Sequence, residues 1–109
     1  MFAKPFNVKE LLSRYAAGQR DFRNLNLMAA NMRNLNLSGI DLSGANLTKA
    51  NLSGTNLSRT NLSNTVLTGT NLTNANLTQA NLTDVDLEHV DLSKAVTQGA
   101  ILPVTAQQS

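Results

Sequence analysis

The amino-acid sequence predicts an all-β solenoid, a chain that turns a corner every five residues and stacks coil upon coil. Three observations carry this. A large apolar residue recurs at every fifth position for most of the chain. A small or apolar residue stands two positions before it. Between them sits Asn or Asp almost throughout. Such internal periodicity has to be read before anything else, because it decides the architecture.

The five-residue series begins at Phe22 and runs through Leu27, Met32, Leu37, Leu42, Leu47, Leu52, Leu57, Leu62, Leu67, Leu72, Leu77, Leu82, Leu87 and Leu92. These centre residues are the expected structural core. Five steps of an α-helix place successive members about 140° apart, so the series would circle a helix without forming a stripe. In an extended strand, side chains alternate with a period of two, so a step of five would swap faces each time. A chain that bends once per pentapeptide avoids both problems. It keeps the centre and the residue two before it inside and leaves three residues outside. Val66 is the exception in the Asn/Asp column within this run.

The pattern A-(D/N)-L-x-x, as in Ala45-Asn46-Leu47-Thr48-Lys49 and Ala75-Asn76-Leu77-Thr78-Gln79, resembles that of pentapeptide-repeat proteins. The resemblance covers fifteen consecutive units from Arg20 to Lys94, with two weaker ones at Ala95–Gly99 and Ala100–Val104. It implies a right-handed quadrilateral β-helix with four pentapeptides per coil, hence about four coils. At that register the residues two before the centre sort sensibly. The first coil has Leu25, Ala30, Leu35 and Ile40; the second has Ala45, Ala50, Thr55 and Thr60. The third has Thr65, Thr70, Ala75 and Ala80, and the fourth has Val85, Val90, Ala95 and Ala100. Small residues fill the middle layers, which are squeezed from both sides, and bulkier ones gather at the ends. The four inward threonines need partners, because an unpaired buried hydroxyl costs roughly 1–3 kcal/mol. They are expected to bond to backbone carbonyls or to one another.

The organisation expected is an N-terminal segment over residues 1–19 with a capping helix, a repeat domain over 20–104, and a disordered tail over 105–109. Asn7 and Glu10 are spaced as a capping box. Val8, Leu11, Leu12 and Tyr15 follow helical spacing, and Gly18 is placed to stop the helix. Their apolar face is expected over Phe22, Leu25 and Leu27. A membrane-surface helix is the alternative for so amphipathic a segment, but the stripe is short and the first coil needs a cap. The segment ELLSRYAAGQRDF also resembles the lead-in of pentapeptide-repeat proteins of cyanobacterial type. At the other end Thr97 replaces the centre leucine, Leu102 restores it, and Pro103 is expected to end the coil because it has no N–H for the ladder. How that last layer is covered stays open.

Cysteine is absent, which excludes disulfides and thiolate metal sites. That suits a reducing compartment, and a cytoplasmic location is the expectation. The opening residues read as neither a signal peptide nor a membrane span. The recurrent N-L-S/T triplets match a glycosylation acceptor only because the repeat generates them; Asn and Asp at this position are expected to bond locally at turns. The net charge of +2 is small, but it is unevenly placed. Residues 1–33 hold six basic side chains against Glu10 and Asp21, a net of +4. Residues 84–94 hold Asp84, Asp86, Glu88 and Asp91 against Lys94, a net of −3.

No catalytic, cofactor-binding or metal-ligating constellation is expected, and the chain reads as no enzyme. His89 lies among carboxylates, yet outward side chains on a flat face lack the convergence that metal binding or general-base work requires. The resemblance raises a DNA-mimicking inhibitor of a type II topoisomerase, since some relatives bind those enzymes through an acidic rod. Here the outward residues of the middle coils are Asn, Ser, Thr, Gly and Gln, with Lys49 and Arg59 of the wrong sign. Nucleic-acid binding lacks an aromatic platform and a Lys/Arg run. Ice binding would draw on stacked hydroxyls, but Ser and Thr mix on every side. The reading that stands is a structural or protein-interaction module with an unidentified protein partner and self-association through the ends.

Overall fold

A computed structural model of the chain describes residues 4–104. The expected tail over 105–109 lies outside the described residues. The helix α1 spans Val8–Ala16. Asn7 caps it, its side chain accepting from the N–H groups of Lys9 at 2.8 Å and Glu10 at 3.3 Å. Glu10 does not complete a reciprocal box; its carboxylate takes the Arg14 guanidinium one turn on, at 2.8 Å. At the far end Gly18 adopts a φ of 104°, and the N–H of Gln19 donates to the Arg14 carbonyl at 3.0 Å. A left-handed residue with a bond reaching back five positions is the usual way to satisfy the last carbonyls of a helix.

From Asp21 onward, parallel bridges join residues twenty apart, so four pentapeptides make one coil. One side stacks Asp21, Asp41, Asn61, Asn81 and Ile101. The next stacks Asn26, Asn46 and Val66; the third, Asn31, Asn51 and Asn71; the fourth, Asn36, Asn56, Asn76 and Val96. Each bridged five-residue side contributes a single bridge residue and no longer strand.

The unit Ala45–Lys49 shows how each backbone donor is used. Ala45 N–H closes a turn onto Leu42 O at 3.0 Å. Asn46 N–H reaches down to Leu25 O at 2.9 Å, Leu47 N–H reaches up to Val66 O at 2.8 Å, and Lys49 N–H reaches up to Thr68 O at 2.9 Å. The one N–H left over, on Thr48, donates to the Asn46 side-chain Oδ1 at 3.1 Å. All five are satisfied, as buried backbone requires. This explains the Asn/Asp column: its side chain accepts from the only donor the ladder does not use.

Each corner residue from Asn24 to His89, and again Gly99, though not Lys94 in the fourth coil, takes a positive φ. Together with the closing bond to the residue three back, this is the pattern of a type II turn. Glycine and Asn fill many corners, but Lys49, Arg59, Gln79 and His89 are held there too, with φ between 58° and 63°. For such side chains this conformation costs about 1 kcal/mol each.

The centre residues from Phe22 to Leu82 are buried, and Leu57, at 0% exposure, is typical. Leu87 and Leu92, expected in the same core, are only half-buried, since among the described residues no coil lies over them. Thr55, Thr60, Thr65 and Thr70 are buried, and all four hydroxyls donate to backbone carbonyls, none to another threonine. At the N-terminal end Leu11 is fully buried, while Val8, Leu12 and Tyr15 pack half-buried against the core. Phe6 joins them, and its N–H donates to Asn26 O at 2.7 Å.

Candidate functional surfaces

The outward columns are more constrained than a row of free hydroxyls. Thr48, Ser53, Ser63, Thr78 and Thr83 each donate their side-chain hydroxyl to the Asn two positions before, at 2.5–2.7 Å. Ser43 and Ser93 do the same to Asp41 and Asp91. The carboxyl of Asp91 is held below the usual carboxylate range by the Ser93 hydroxyl and then by the Ser93 N–H. Asp21 is lowered in the same direction by its hydrogen bond to the Arg23 side chain, an exposed pair at 2.9 Å.

His89 and its acidic neighbours project outward without converging. The His89 ring approaches Glu88 at 3.9 Å, and both side chains are 76% exposed. Among the described residues no group of three or more His, Asp or Glu side chains is arranged to hold a metal ion. No helix among them is long and apolar enough to cross a membrane.

The two ends differ. At the N-terminal end Tyr15 reaches over the first coil and donates its hydroxyl to Ser38 O at 2.6 Å. Arg20 lies 3.8 Å from the Tyr15 ring centre and also donates to the Tyr15 carbonyl. At the C-terminal end the ladder is incomplete. Asp86 and Asp91 form no bridge with Val66 and Asn71. Among the described residues the N–H groups of Leu67, Leu72, Asp86 and Asp91 have no backbone partner. The corner donors below have slipped one residue, Gly69 N–H to His89 O at 3.3 Å and Asn74 N–H to Lys94 O at 2.7 Å. Val96, Ile101 and Leu102 are exposed by 50%, 56% and 48%. The ladder nonetheless persists to Ile101, whose N–H donates to Ala80 O at 2.8 Å. Pro103 occupies the one position of the unit whose N–H the ladder does not use, so its missing N–H costs the ladder no bond; whether the coil stops there lies outside the described residues.

The family model for pentapeptide repeats, with eight copies, matches residues 26–64 and 60–96, more than half of the chain. The chain belongs to the pentapeptide repeat family. It is 35% identical to a pentapeptide repeat protein from Nostoc Pcc 7120, with a TM-score of 0.73, over 94% of this chain and 91% of that one. A pentapeptide repeat protein of the Arabidopsis thaliana thylakoid lumen is 24% identical, with a TM-score of 0.58, over 82% of this chain and 68% of that one, a likeness of fold. HetL, a pentapeptide repeat protein of Nostoc sp. strain PCC 7120 involved in heterocyst differentiation regulation, is 37% identical. That match has a TM-score of 0.47, over 87% of this chain and 42% of HetL. No curated protein matches this pentapeptide repeat chain.

Proposed function

We propose that this chain is a non-enzymatic structural and protein-interaction module of the cytoplasm, built as a right-handed, four-sided β-helix whose sides and ends do the binding. Parallel stacking of the units on those twenty residues away, with only those of Asp86 and Asp91 out of register between Asp21 and Ile101, supports a coil of four pentapeptides. The observation that carries the functional reading is the use of the outward polar groups. The hydroxyls of Ser43, Thr48, Ser53, Ser63, Thr78, Thr83 and Ser93 are committed to the Asn/Asp column, which stiffens a flat surface, and among the described residues no cluster of His, Asp or Glu converges. A flat, rigid, polar surface recognises by shape and rim charge across an area.

The test is capture of proteins from a native lysate by the immobilised chain, repeated with one side altered at a time. Suitable changes are Ser58→Arg on the fourth side and Thr73→Arg on the third. Stoichiometric capture lost with one side and retained with the others supports the reading. Capture that no side or end alters, or a turnover activity that survives purification and tracks one residue, overturns it.

A further inference from the structure

Opposite ends of this rod carry opposite charge, and among the described residues only the N-terminal end has an element folded over it. The N-terminal end is sealed by α1, with Leu11 fully buried beneath it. It carries Lys4, Lys9, Arg14, Arg20, Arg23 and Arg33. Of these, Arg14 and Arg23 are paired with Glu10 and Asp21, and Arg20 is turned onto Tyr15. Lys4, Lys9 and Arg33 make no ion pair or side-chain hydrogen bond among the described residues. Among the described residues nothing lies over the C-terminal coil. Leu87, Val90 and Leu92 are half-buried where their counterparts one coil below are buried. Around them stand Asp84, Asp86, Glu88 and Asp91, none of which forms an ion pair with a Lys or Arg among the described residues, although Lys94 acts on Asp91 at longer range.

We propose that copies of this chain associate head to tail, with the basic N-terminal cap of one copy against the acidic, uncovered C-terminal coil of the next. This rests on the interaction-module reading and names its partner. The charges select the arrangement. Joining two C-terminal ends brings −3 against −3, and joining two N-terminal ends brings +4 against +4. Head to tail sets +4 against −3. The two patches act separately. Three ladder steps of about 4.8 Å and a helix of about 10 Å put them roughly 25 Å apart, beyond the Debye length of about 8 Å at physiological salt.

The surfaces also fit in kind. Ser13 and Ala16 of α1 and its C-cap Ala17 are all exposed, as is Lys9 one turn before Ser13; a lysine's aliphatic stem suits apolar surface while its ammonium stays in water. The open coil offers Leu87, Leu92 and Leu102 inside a rim of carboxylates. The contact is heterologous, so it need not close on itself and further copies can add beyond a dimer. It is also narrow. With a smallest extent of 21 Å, an end offers on the order of 400 Å², against about 800 Å² per partner in a stable complex. Association is therefore weak and concentration-dependent.

Sedimentation velocity of the whole chain over a concentration series, at about 0.01 M and about 1 M salt, tests this, since the Debye length falls from about 30 Å to about 3 Å between them. The expected result is growth past the dimer at low salt, with the association constant falling on the order of tenfold or more at high salt. Lys4→Glu with Lys9→Glu removes association, and so does Asp86→Lys with Glu88→Lys. The chain carrying all four changes associates again. These side chains are exposed, and unchanged circular dichroism of each variant confirms that it folds. A monomer at every concentration and salt overturns the proposal. So does association that strengthens with salt, or that survives the Lys4 and Lys9 reversal; either would place two C-terminal ends together. A monomer that still captures a lysate protein through one side sinks this proposal and leaves the module reading standing.

Discussion

The second and fourth coils are built from the same pentapeptide, yet one is locked and the other is loose. In the second, every unit bridges to a coil above and a coil below, and its centre leucines are 0% exposed. In the fourth, two of the sides have lost their bridges and two of the leucines are half-buried. The local sequence does not account for this: V-D-L-E-H and V-D-L-S-K obey the repeat as well as A-N-L-T-K does. What differs is the neighbour. A solenoid unit is stabilised by the interfaces it shares with adjacent coils, and the fourth coil, the last among the described residues, shows one such interface where an inner coil shows two. It coincides here with four carboxylates that no basic residue but Lys94 balances.

Core truncation should expose this difference most sharply. Leu57→Ala removes a fully buried side chain between two coils and should destabilise by about 2–5 kcal/mol. Leu92→Ala, at the uncovered layer, should cost about 1 kcal/mol, in keeping with its partial burial. Denaturant unfolding of the two variants gives the comparison, and equal losses would mean that the fourth coil is as tightly packed as the second. Native-state hydrogen exchange offers a second check. The amide of Leu57, bonded to Asn76 O, should exchange only through global opening. The amides of Leu67 and Leu72, which face the slipped coil, should exchange far faster despite their burial.

Corner substitutions come next in size. At Gly44 an added Cβ would lie 2.0 Å from the Asn24 Oδ1 in the coil below, whereas at Gly39 it would meet nothing within 4 Å. Both have positive φ, so Gly→Ala costs about 1 kcal/mol at either through the backbone. Gly44→Ala must in addition displace the Asn24 side chain, and its melting temperature should fall further than that of Gly39→Ala.

The Asn column predicts a gain as well as losses. Val66 leaves the Thr68 N–H without the side-chain acceptor that its counterparts enjoy. Val66→Asn should supply it and stabilise by about 0.5–1 kcal/mol, the net worth of one such bond. Asn56→Ala should cost a similar amount by orphaning the Ser58 N–H, now bonded at 3.0 Å. If both changes are neutral, the column owes its composition to something other than this bond.

Much of this was legible in the sequence, and for a reason. A five-residue period excludes helix and strand by geometry alone, and the sorting of small and bulky residues at a step of twenty anticipated the observed register. The helix α1 was marked by Asn7, by the spacing from Val8 to Tyr15, and by Gly18. The corners were less visible. Gly and Asn at Asn34, Gly39, Gly44, Gly54, Asn64, Gly69 and Asn74 signalled a left-handed position, but Lys49, Arg59 and Gln79 at equivalent corners hid it, because the ladder on either side imposes the conformation whatever the side chain. Phe6 escaped notice because Pro5 and a lone aromatic before the cap carry no periodicity. The slip at Asp86 and Asp91 had no sequence signal, since it depends on what stacks above them.

The smallest effect separates local from cooperative bonding in the loose coil. Asp91 keeps its Ser93 hydroxyl and N–H bonds at 2.6 Å and 2.9 Å although its backbone bridge is gone. Those bonds favour the ionised carboxylate and lower its pKa. A carboxyl depressed in the folded state contributes stability above its unfolded pKa and loses it as pH falls through the folded value. The contribution is therefore present from about pH 4 upward and disappears in more acid solution. Ser93→Ala removes the larger of the two causes, so the Asp91 titration followed by carboxyl-carbon NMR should move upward toward the ordinary value, with little change in melting temperature at neutral pH. An unmoved titration would show that the Ser93 hydroxyl is not seated on the carboxylate, and that in the fourth coil even the local turn has loosened along with the ladder.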